Sequence, residues 1–185
     1  MDESTKTIRN LAGFNTNMNK NYFYFLRLAT WFVFQHCFFR QWFFPAKFRP
    51  FALRLWGAKI GKGVVIRCGV KIHFPWNLRV SNFCWIGEES WILNHAEVKI
   101  ESNVAISQRV IICSGGHNYR DSSLKYDHKP ILIKHGAWIC LDAKVLPGVT
   151  VGECSVVSAG EIVRKSLPDY SLYVGGQIHA IKPPK

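Results

Sequence analysis

A branched aliphatic residue returns at every sixth position over most of this chain. The first series is Ile60, Ile66 and Ile72, the second Val80, Ile86 and Ile92, the third Ile100, Ile106 and Ile112, each displaced by twenty from the one before. After an interruption the period resumes at Ile133, Ile139, Val145, Val151, Val157 and Val163. Four residues after each of these guides stands a side chain that is mostly small or apolar: Val64, Val70, Trp76, Cys84, Ser90, Ala96, Val104, Val110 and Gly116, then Ala137, Ala143, Val149, Ser155, Glu161 and Leu167. Glu161 alone is awkward in such a place. A helix asks for apolar residues three and four apart, and a lone strand for strict alternation. A six-residue period suits neither. It predicts a short strand and a turn, repeated three times per coil of a parallel β-helix, with each guide side chain pointing inward onto its counterpart one coil away. The two residues that lengthen each early coil, Leu78-Arg79 and Val98-Lys99, are expected at one corner.

The rest of the chain is read around that repeat. Its 185 residues allow one domain, or one with an appendage, and 48% hydrophobic residues are ample for a core. The divisions expected are a mobile tail over 1–20, an aromatic and basic helical segment over 21–56, the β-helix over 57–168 with a protruding loop at 113–130, and a C-terminal cap or tail over 169–185. The first twenty residues are polar, with Lys6, Arg9 and Lys20, and have no signal-peptide pattern. The six cysteines form no metal-type pair and read as reduced thiols of a cytoplasmic protein, mostly buried.

Composition changes abruptly at 22–44, where aromatic residues dominate and Arg27, Gln35, His36, Arg40 and Gln41 interrupt them. Over 1–56 there are eight Lys or Arg against two acids. Aromatic rings beside cations suit a helix lying at headgroup depth on anionic lipid, peripheral to the inner face of a membrane. A helix that caps the open end of the solenoid accounts for the same residues, and the two readings are compatible; a membrane span is the third. Pro45 and Pro50 are expected to end the helix, with a further turn or two over 51–56. The net charge of +12 is scattered through the coils without a nucleic-acid motif, so no nucleic-acid partner is expected.

The repeat breaks after Ile112, where Cys113-Ser-Gly-Gly-His117-Asn-Tyr-Arg-Asp intrudes. A polar insertion in a regular solenoid must bulge outward, and loops on rigid scaffolds are where function concentrates. Gly115 and Gly116 let the backbone approach a ligand closely. A histidine, with an ordinary pKa of about 6.5, is suited to proton abstraction near neutrality. His117 is therefore the candidate catalytic residue.

These segments carry a resemblance. Gly57-Ala-Lys-Ile-Gly, Trp85-Ile-Gly, the Gly116-His-Asn-Tyr-Arg-Asp loop, Gly136-Ala-Trp-Ile, Val145-Leu-Pro-Gly-Val-Thr-Val-Gly and Ala159-Gly-Glu-Ile-Val-Arg-Lys resemble the hexapeptide-repeat acyltransferases. Within them the chain is most similar to the colanic-acid-type exopolysaccharide O-acetyltransferases, which share an aromatic N-terminal segment, an Arg-Pro stretch and a Pro-Trp-Asn-Leu like that at 75–78. The resemblance implies a mainly β, left-handed parallel β-helix that assembles as a homotrimer. It implies acetyl-CoA as co-substrate, no metal, and a sugar or lipid-linked glycan as acceptor. His117 would be the general base, Asn94 and His95 would line the acceptor pocket, and Trp138, Ala159, Arg164 and Lys165 would lie along the CoA arm. Two features depart from the family. The usual Gly-Asn-Pro-Ala-Lys near the C-terminus is replaced by Gly175-Gly-Gln-Ile-His-Ala-Ile, and a usual Gly-Asp turn by Glu101-Ser102. Two other functions belong to this kind of fold: a non-catalytic assembly or membrane adaptor, which the intact His117 loop disfavours, and a γ-type carbonic anhydrase. The latter needs three histidines around zinc, commonly with two of them five residues apart, whereas position 122 is Ser and no His-x4-His exists in the chain.

Overall fold

A computed structural model of the chain describes residues 22–183, so the tail expected at 1–20 lies outside the described residues. The six-residue period folds as it predicts. The first coil is β1 (Lys59–Ile60), β2 (Val65–Ile66) and β3 (Lys71–Ile72). The second is β4 (Leu78–Val80), β5 (Trp85–Ile86) and β6 (Trp91–Leu93), and the third β7 (Val98–Ile100), β8 (Ala105–Ile106) and β9 (Ile111–Cys113). Beyond the loop come β10 (Ile131–Ile133), β11 (Trp138–Ile139) and β12 (Lys144–Val145), then β13 (Thr150–Val151), β14 (Val156–Val157) and β15 (Ile162–Val163). A final hairpin, β16 (Ser171–Val174) and β17 (Gln177–Ala180), ends the described chain.

Three sheets form the walls. Sheet A is β1-β4-β7-β10-β13, sheet B is β2-β5-β8-β11-β14-β16-β17, and sheet C is β3-β6-β9-β12-β15. Pairing is parallel except between β16 and β17. The register joins guide to guide: Ile60 pairs with Val80 and Val80 with Ile100 in sheet A, Ile66 with Ile86 and Ile86 with Ile106 in sheet B, and Ile72 with Ile92 and Ile92 with Ile112 in sheet C. Every guide side chain is buried. Glu161 finds its own solution: its carboxylate accepts from the N–H groups of Gly175 and Gly176 in the turn of the final hairpin.

The corners explain why six residues suffice. Two residues make the strand, and the third residue after the guide takes a left-handed backbone that turns the chain. Phe83, Glu89, Asn103, Arg109, Asp142 and Cys154 all do so with φ between 52° and 59°, joined by Gly63, Gly69, Gly136, Gly148 and Gly160. Side chains rarely adopt this region, so the repeat imposes it at a cost that the stacking offsets. Straight after three of the guides stands a glycine, Gly61, Gly87 or Gly152, where the coils come closest. A Cβ at Gly87 would stand 2.6 Å from the backbone carbon of Ser107 in the next coil.

The corner from sheet C to sheet A breaks the rule in the first three coils. The third residues after Ile72, Ile92 and Ile112 are Pro75, His95 and Gly115, and none has positive φ. The two extra residues per coil are accommodated here. Leu78-Arg79 and Val98-Lys99 themselves have joined β4 and β7, so the corner proper is built by the residues just before them. Asn77 ties it, donating to the carbonyls of Asn94 and His95.

The N-terminal segment covers the open end of the first coil. Helix α1 (Tyr22–Phe34) runs into a π-helical turn, Gln35–Phe39, and after a 3-10 turn at Ala46–Phe48 comes α2 (Arg49–Leu55). The expected stop at Pro45 and Pro50 is corrected by this arrangement. The first helix is over before Pro45, and Pro50 opens the second one, where its missing N–H costs nothing. Trp31 is wholly buried and donates to the carbonyl of Ile72, while Gln35 accepts from the Ile72 N–H, so the helix satisfies the exposed edge of sheet C. Arg49 is buried, and its guanidinium donates to the carbonyls of Phe39 (3.0 Å), Ile66 (3.2 Å) and Gln41 (2.8 Å). Burial pulls its pKa below the ordinary value. The six cysteines are free thiols, but only Cys84 is buried and Cys37 is exposed, against the expectation that most would be interior. Burial pushes the Cys84 thiol up. Among the described residues no helix is long and apolar enough to cross a membrane.

Replacing Arg49 by Leu removes three hydrogen bonds at once, leaving the Phe39 and Ile66 carbonyls without the guanidinium and Gln41 with the Phe44 N–H alone. Urea unfolding of the full chain is expected to show a loss of about 3 kcal/mol, from a net value near 1 kcal/mol for each buried bond. A loss under 1 kcal/mol would show that the clamp does not hold the cap.

Candidate active site

The insertion leaves β9 and re-enters the solenoid at β10, so it projects from the corner between sheets C and A. Its base is pinned. Ser114 is buried, its hydroxyl donates to the Ala96 carbonyl and accepts from the Ala96 N–H, and its carbonyl accepts from Lys129. Above that the two legs pair: Asp127 donates to Gly116, Asn118 to Lys125, and His117 and Tyr126 form an antiparallel bridge. At the tip, Ser123 donates from both its N–H and its hydroxyl to Asp121, which also pairs with Lys125 at 3.2 Å. The Ser123 hydrogen bonds hold the Asp121 carboxyl below its usual range. The loop is thus built largely from its own contacts.

His117 is exposed, and its Nδ1 lies 2.7 Å from the carbonyl oxygen of Leu124. A carbonyl only accepts, so Nδ1 carries the proton and Nε2 is the basic nitrogen of the neutral ring. Leu124 has φ 50°, so the residue that supplies the carbonyl is itself held in an unusual turn. His128 has the opposite tautomer. Its Nδ1 accepts the Gly116 N–H at 3.2 Å, which leaves the ring proton on Nε2.

These rings belong to a column. His73 stacks on His95 at 4.8 Å between centroids and His95 on His128 at 4.8 Å, with interplanar angles of 30° and 29°. Tyr126 follows at 4.9 Å from His128, and His117 at 5.0 Å from Tyr126. The spacing is that of neighbouring strands, so the column repeats the stacking of the coils along one corner. Phe32 of α1 meets its lower end, 5.3 Å from His73. Gly115 permits it, since a Cβ there would stand 2.7 Å from Cδ2 of His95.

Of the residues expected at the site, the structure brings His117 and His95 into this one column. Asn94 lies beside them, but its amide is fully buried, accepting from the Phe74 N–H at 3.0 Å and donating to the Phe74 carbonyl. It shapes the wall that holds His95 and does not reach outward. The other four stand apart. Trp138 is half exposed on β11 in sheet B, its indole N–H donating to the Ser107 hydroxyl at 3.0 Å. Ala159 is exposed in the turn between β14 and β15, and Arg164 and Lys165 are exposed just past β15, at the same corner as the loop but farther along. In a triangular section sheet B lies opposite the corner between C and A, so Trp138 and His117 of one chain face different ways. A hollow of about 590 Å³, lined by Arg40, Trp42, Cys68, Glu89, Arg109 and Leu141, lies between sheets B and C and includes neither of them. His73, Tyr126 and His128 were not singled out from the sequence. Position was the available signal: His73 directly follows the guide Ile72 and His95 comes three after Ile92, both on the corner where the regular turn is missing. Among the described residues no three His, Cys, Asp or Glu come together as a metal cage.

A triangular solenoid of six-residue repeats, interrupted by one histidine-bearing loop, is the architecture of the hexapeptide-repeat proteins. The comparisons agree. The chain is 41% identical over 122 residues to the colanic acid biosynthesis acetyltransferase WcaF of Escherichia coli K12, covering 66% of this chain and 67% of that one. It is 27% identical over 129 residues to the galactoside O-acetyltransferase of the same organism, covering 68% and 63%. A hexapeptide-repeat acetyltransferase of Vibrio cholerae, solved with acetyl coenzyme A, superposes with a TM-score of 0.81 at 20% identity, over 99% of this chain and all of that one. A galactoside acetyltransferase solved with coenzyme A superposes with a TM-score of 0.77 at 22% identity, over 90% and 84%. No family model matches the chain. The protein belongs to the hexapeptide-repeat acetyltransferases.

The tautomers can be read directly. Nitrogen-15 NMR at a pH where both rings are neutral is expected to find His117 protonated on Nδ1 and His128 on Nε2. The same tautomer at both positions would contradict the loop geometry.

Proposed function

We propose that the protein is an acetyl-CoA-dependent O-acetyltransferase that esterifies a hydroxyl of a sugar or lipid-linked glycan intermediate in polysaccharide biosynthesis. The hydrogen bond from His117 Nδ1 to the Leu124 carbonyl carries this reading, because it makes Nε2 the acceptor for a substrate proton. His117 takes the proton from the acceptor hydroxyl as its oxygen bonds to the acetyl carbonyl carbon. Backbone N–H groups meet the oxyanion that develops. The carbon–sulfur bond then breaks, and the departing thiolate recovers the proton from Nε2. No covalent enzyme intermediate is required.

The residues assigned to acetyl-CoA suit it. Arg164 and Lys165 are exposed cations for its phosphates, and Trp138 and Ala159 present open surface to a long thin arm. The acceptor contact falls to His95, with Asn94 setting its position through Phe74. Since Trp138 and His117 of one chain diverge, the complete site is taken to form at the seam between two copies in a homotrimer. The work is placed peripherally at the inner face of a membrane, held there through 21–56.

His117→Ala is expected to lower kcat by about a hundred- to ten-thousandfold, with acetyl-CoA binding kept. In the wild type the rate should fall on the acid side, because a protonated Nε2 cannot accept; a flat acid limb would remove His117 as base. The seam is tested by mixing. His117→Ala and Trp138→Ala chains, each impaired alone, should regain roughly a quarter of wild-type activity when reassembled together, since one seam in four then joins two intact halves. No recovery would place both groups' functions within one chain.

A further inference from the structure

Charge is divided unequally along the solenoid. Residues 1–87 hold thirteen Lys or Arg and two acids, whereas residues 88–185 hold eleven and ten. No acid occurs between Glu3 and Glu88. Among the described residues, 22–87 carry ten Lys or Arg and no acid, so positive charge is concentrated at the end bearing the helical cap, the first coil and the start of the second.

The same end carries exposed apolar side chains. Ala52 and Leu53 of α2 are buried against the first coil, while Phe51 and Leu55, four apart on the opposite face, are 57% and 66% exposed. Phe48 is about half exposed. Lys47 lies among them, its ammonium 5.2 Å from the Phe48 ring centroid. Beneath this rim is a hollow of about 430 Å³ between the cap and the first coil, lined by Lys47, Pro50, Arg54, Lys62 and Val64 among others, with no acid on its walls. Arg54 is held in place there, donating to the carbonyls of Ile60 and Gly61.

We propose that this end of the solenoid docks end-on against an anionic lipid bilayer, with Phe48, Phe51 and Leu55 at headgroup depth and Lys47 and Lys62 against lipid phosphates. This deepens the membrane-side reading of the enzyme by naming the face and the side chains that make the contact and the orientation they impose, and it rests on that reading. A protein interface is a poorer fit, because buried interface centres are depleted in lysine, whereas lysines flanking aromatic rings match the bilayer–water boundary. The apolar face of a short helix adds the insertion that charge alone does not supply. End-on docking has a steric consequence. The His117 loop leaves the third coil, two strand spacings from the first, so the base stands roughly 10 Å farther from the bilayer than β3 does. A hydroxyl presented on a glycan that rises from its lipid would meet it there.

The test is flotation of the full chain with vesicles of phosphatidylcholine alone or phosphatidylcholine with phosphatidylglycerol. The wild type is expected to float only with the anionic vesicles, and less so in high salt. Charge reversal by Lys47→Glu with Lys62→Glu, and separately Phe48→Ser with Phe51→Ser, should each lower binding about tenfold or more. Acetyl-CoA binding by these variants should be unchanged, which shows that they are folded. Variants that bind like the wild type, or a wild type that ignores anionic vesicles, would overturn the proposal. So would a change in assembled mass on aromatic substitution without lipid, which would make the patch a contact between copies. His117→Ala separates the two claims: it should float normally while losing transfer, so docking and catalysis can fail independently.

Discussion

A branched aliphatic side chain stacked on its counterpart one coil away is the contact on which this protein is built. Each guide excludes water from the narrow interior, and full burial of one such side chain is worth about 2 kcal/mol. The stack must be unbroken, because a solenoid coil touches only its neighbours. That demand makes the corners expensive: six ordinary residues are forced into left-handed backbone so that the next guide arrives in register. The twenty-residue displacement of the early guides is the length of one coil, and the register of the three sheets repeats it pair by pair.

Chemistry is found where that economy is suspended. At the corner from sheet C to sheet A the left-handed turn is absent in the first three coils, and extra residues take its place. Those residues are not held by the hydrophobic stack, so they are held by polar side chains: Asn77 on two carbonyls, Asn94 on Phe74, Ser114 on Ala96. The imidazoles of His73, His95 and His128 then line up at the coil spacing because the coils themselves do. The loop bearing His117 completes the column, and its legs set the tautomer of the ring that the proposed reaction uses. Rigidity of the scaffold is thereby passed to a segment that has no regular structure of its own.

The helical cap answers a different constraint. An open coil exposes unpaired backbone groups on three sheet edges. Trp31 and Gln35 satisfy Ile72 on one edge, and Arg49 satisfies Ile66 on another while binding the end of the π-helical turn. A buried guanidinium bonded only to carbonyls keeps its charge without a carboxylate, at the expense of desolvation. With Ala52 and Leu53 turned inward, the opposite face of α2 is left apolar and flanked by cations, so one short helix serves the core on one side and a surface on the other.

Period, side-chain type and spacing in the chain were enough to determine the strands, the inward guides, the corner with extra residues and the break that carries His117, because each is a local repetition that needs no knowledge of distant contacts. Resemblance supplied the family, and the comparisons agree with it. Three things came only with the folded chain. Asn94 turned out to be committed inward to Phe74, since burial depends on the neighbouring coil and not on the residue itself. Pro50 began a helix where it was expected to end one, because Arg49 beside it is drawn to carbonyls of two separate segments, Phe39 and Gln41 at the end of the π-helical turn and Ile66 in the first coil. The column of rings leading to His117 joins residues 32, 73, 95, 128, 126 and 117, which no sequence window contains; only the winding of the solenoid brings one corner of successive coils into a single file.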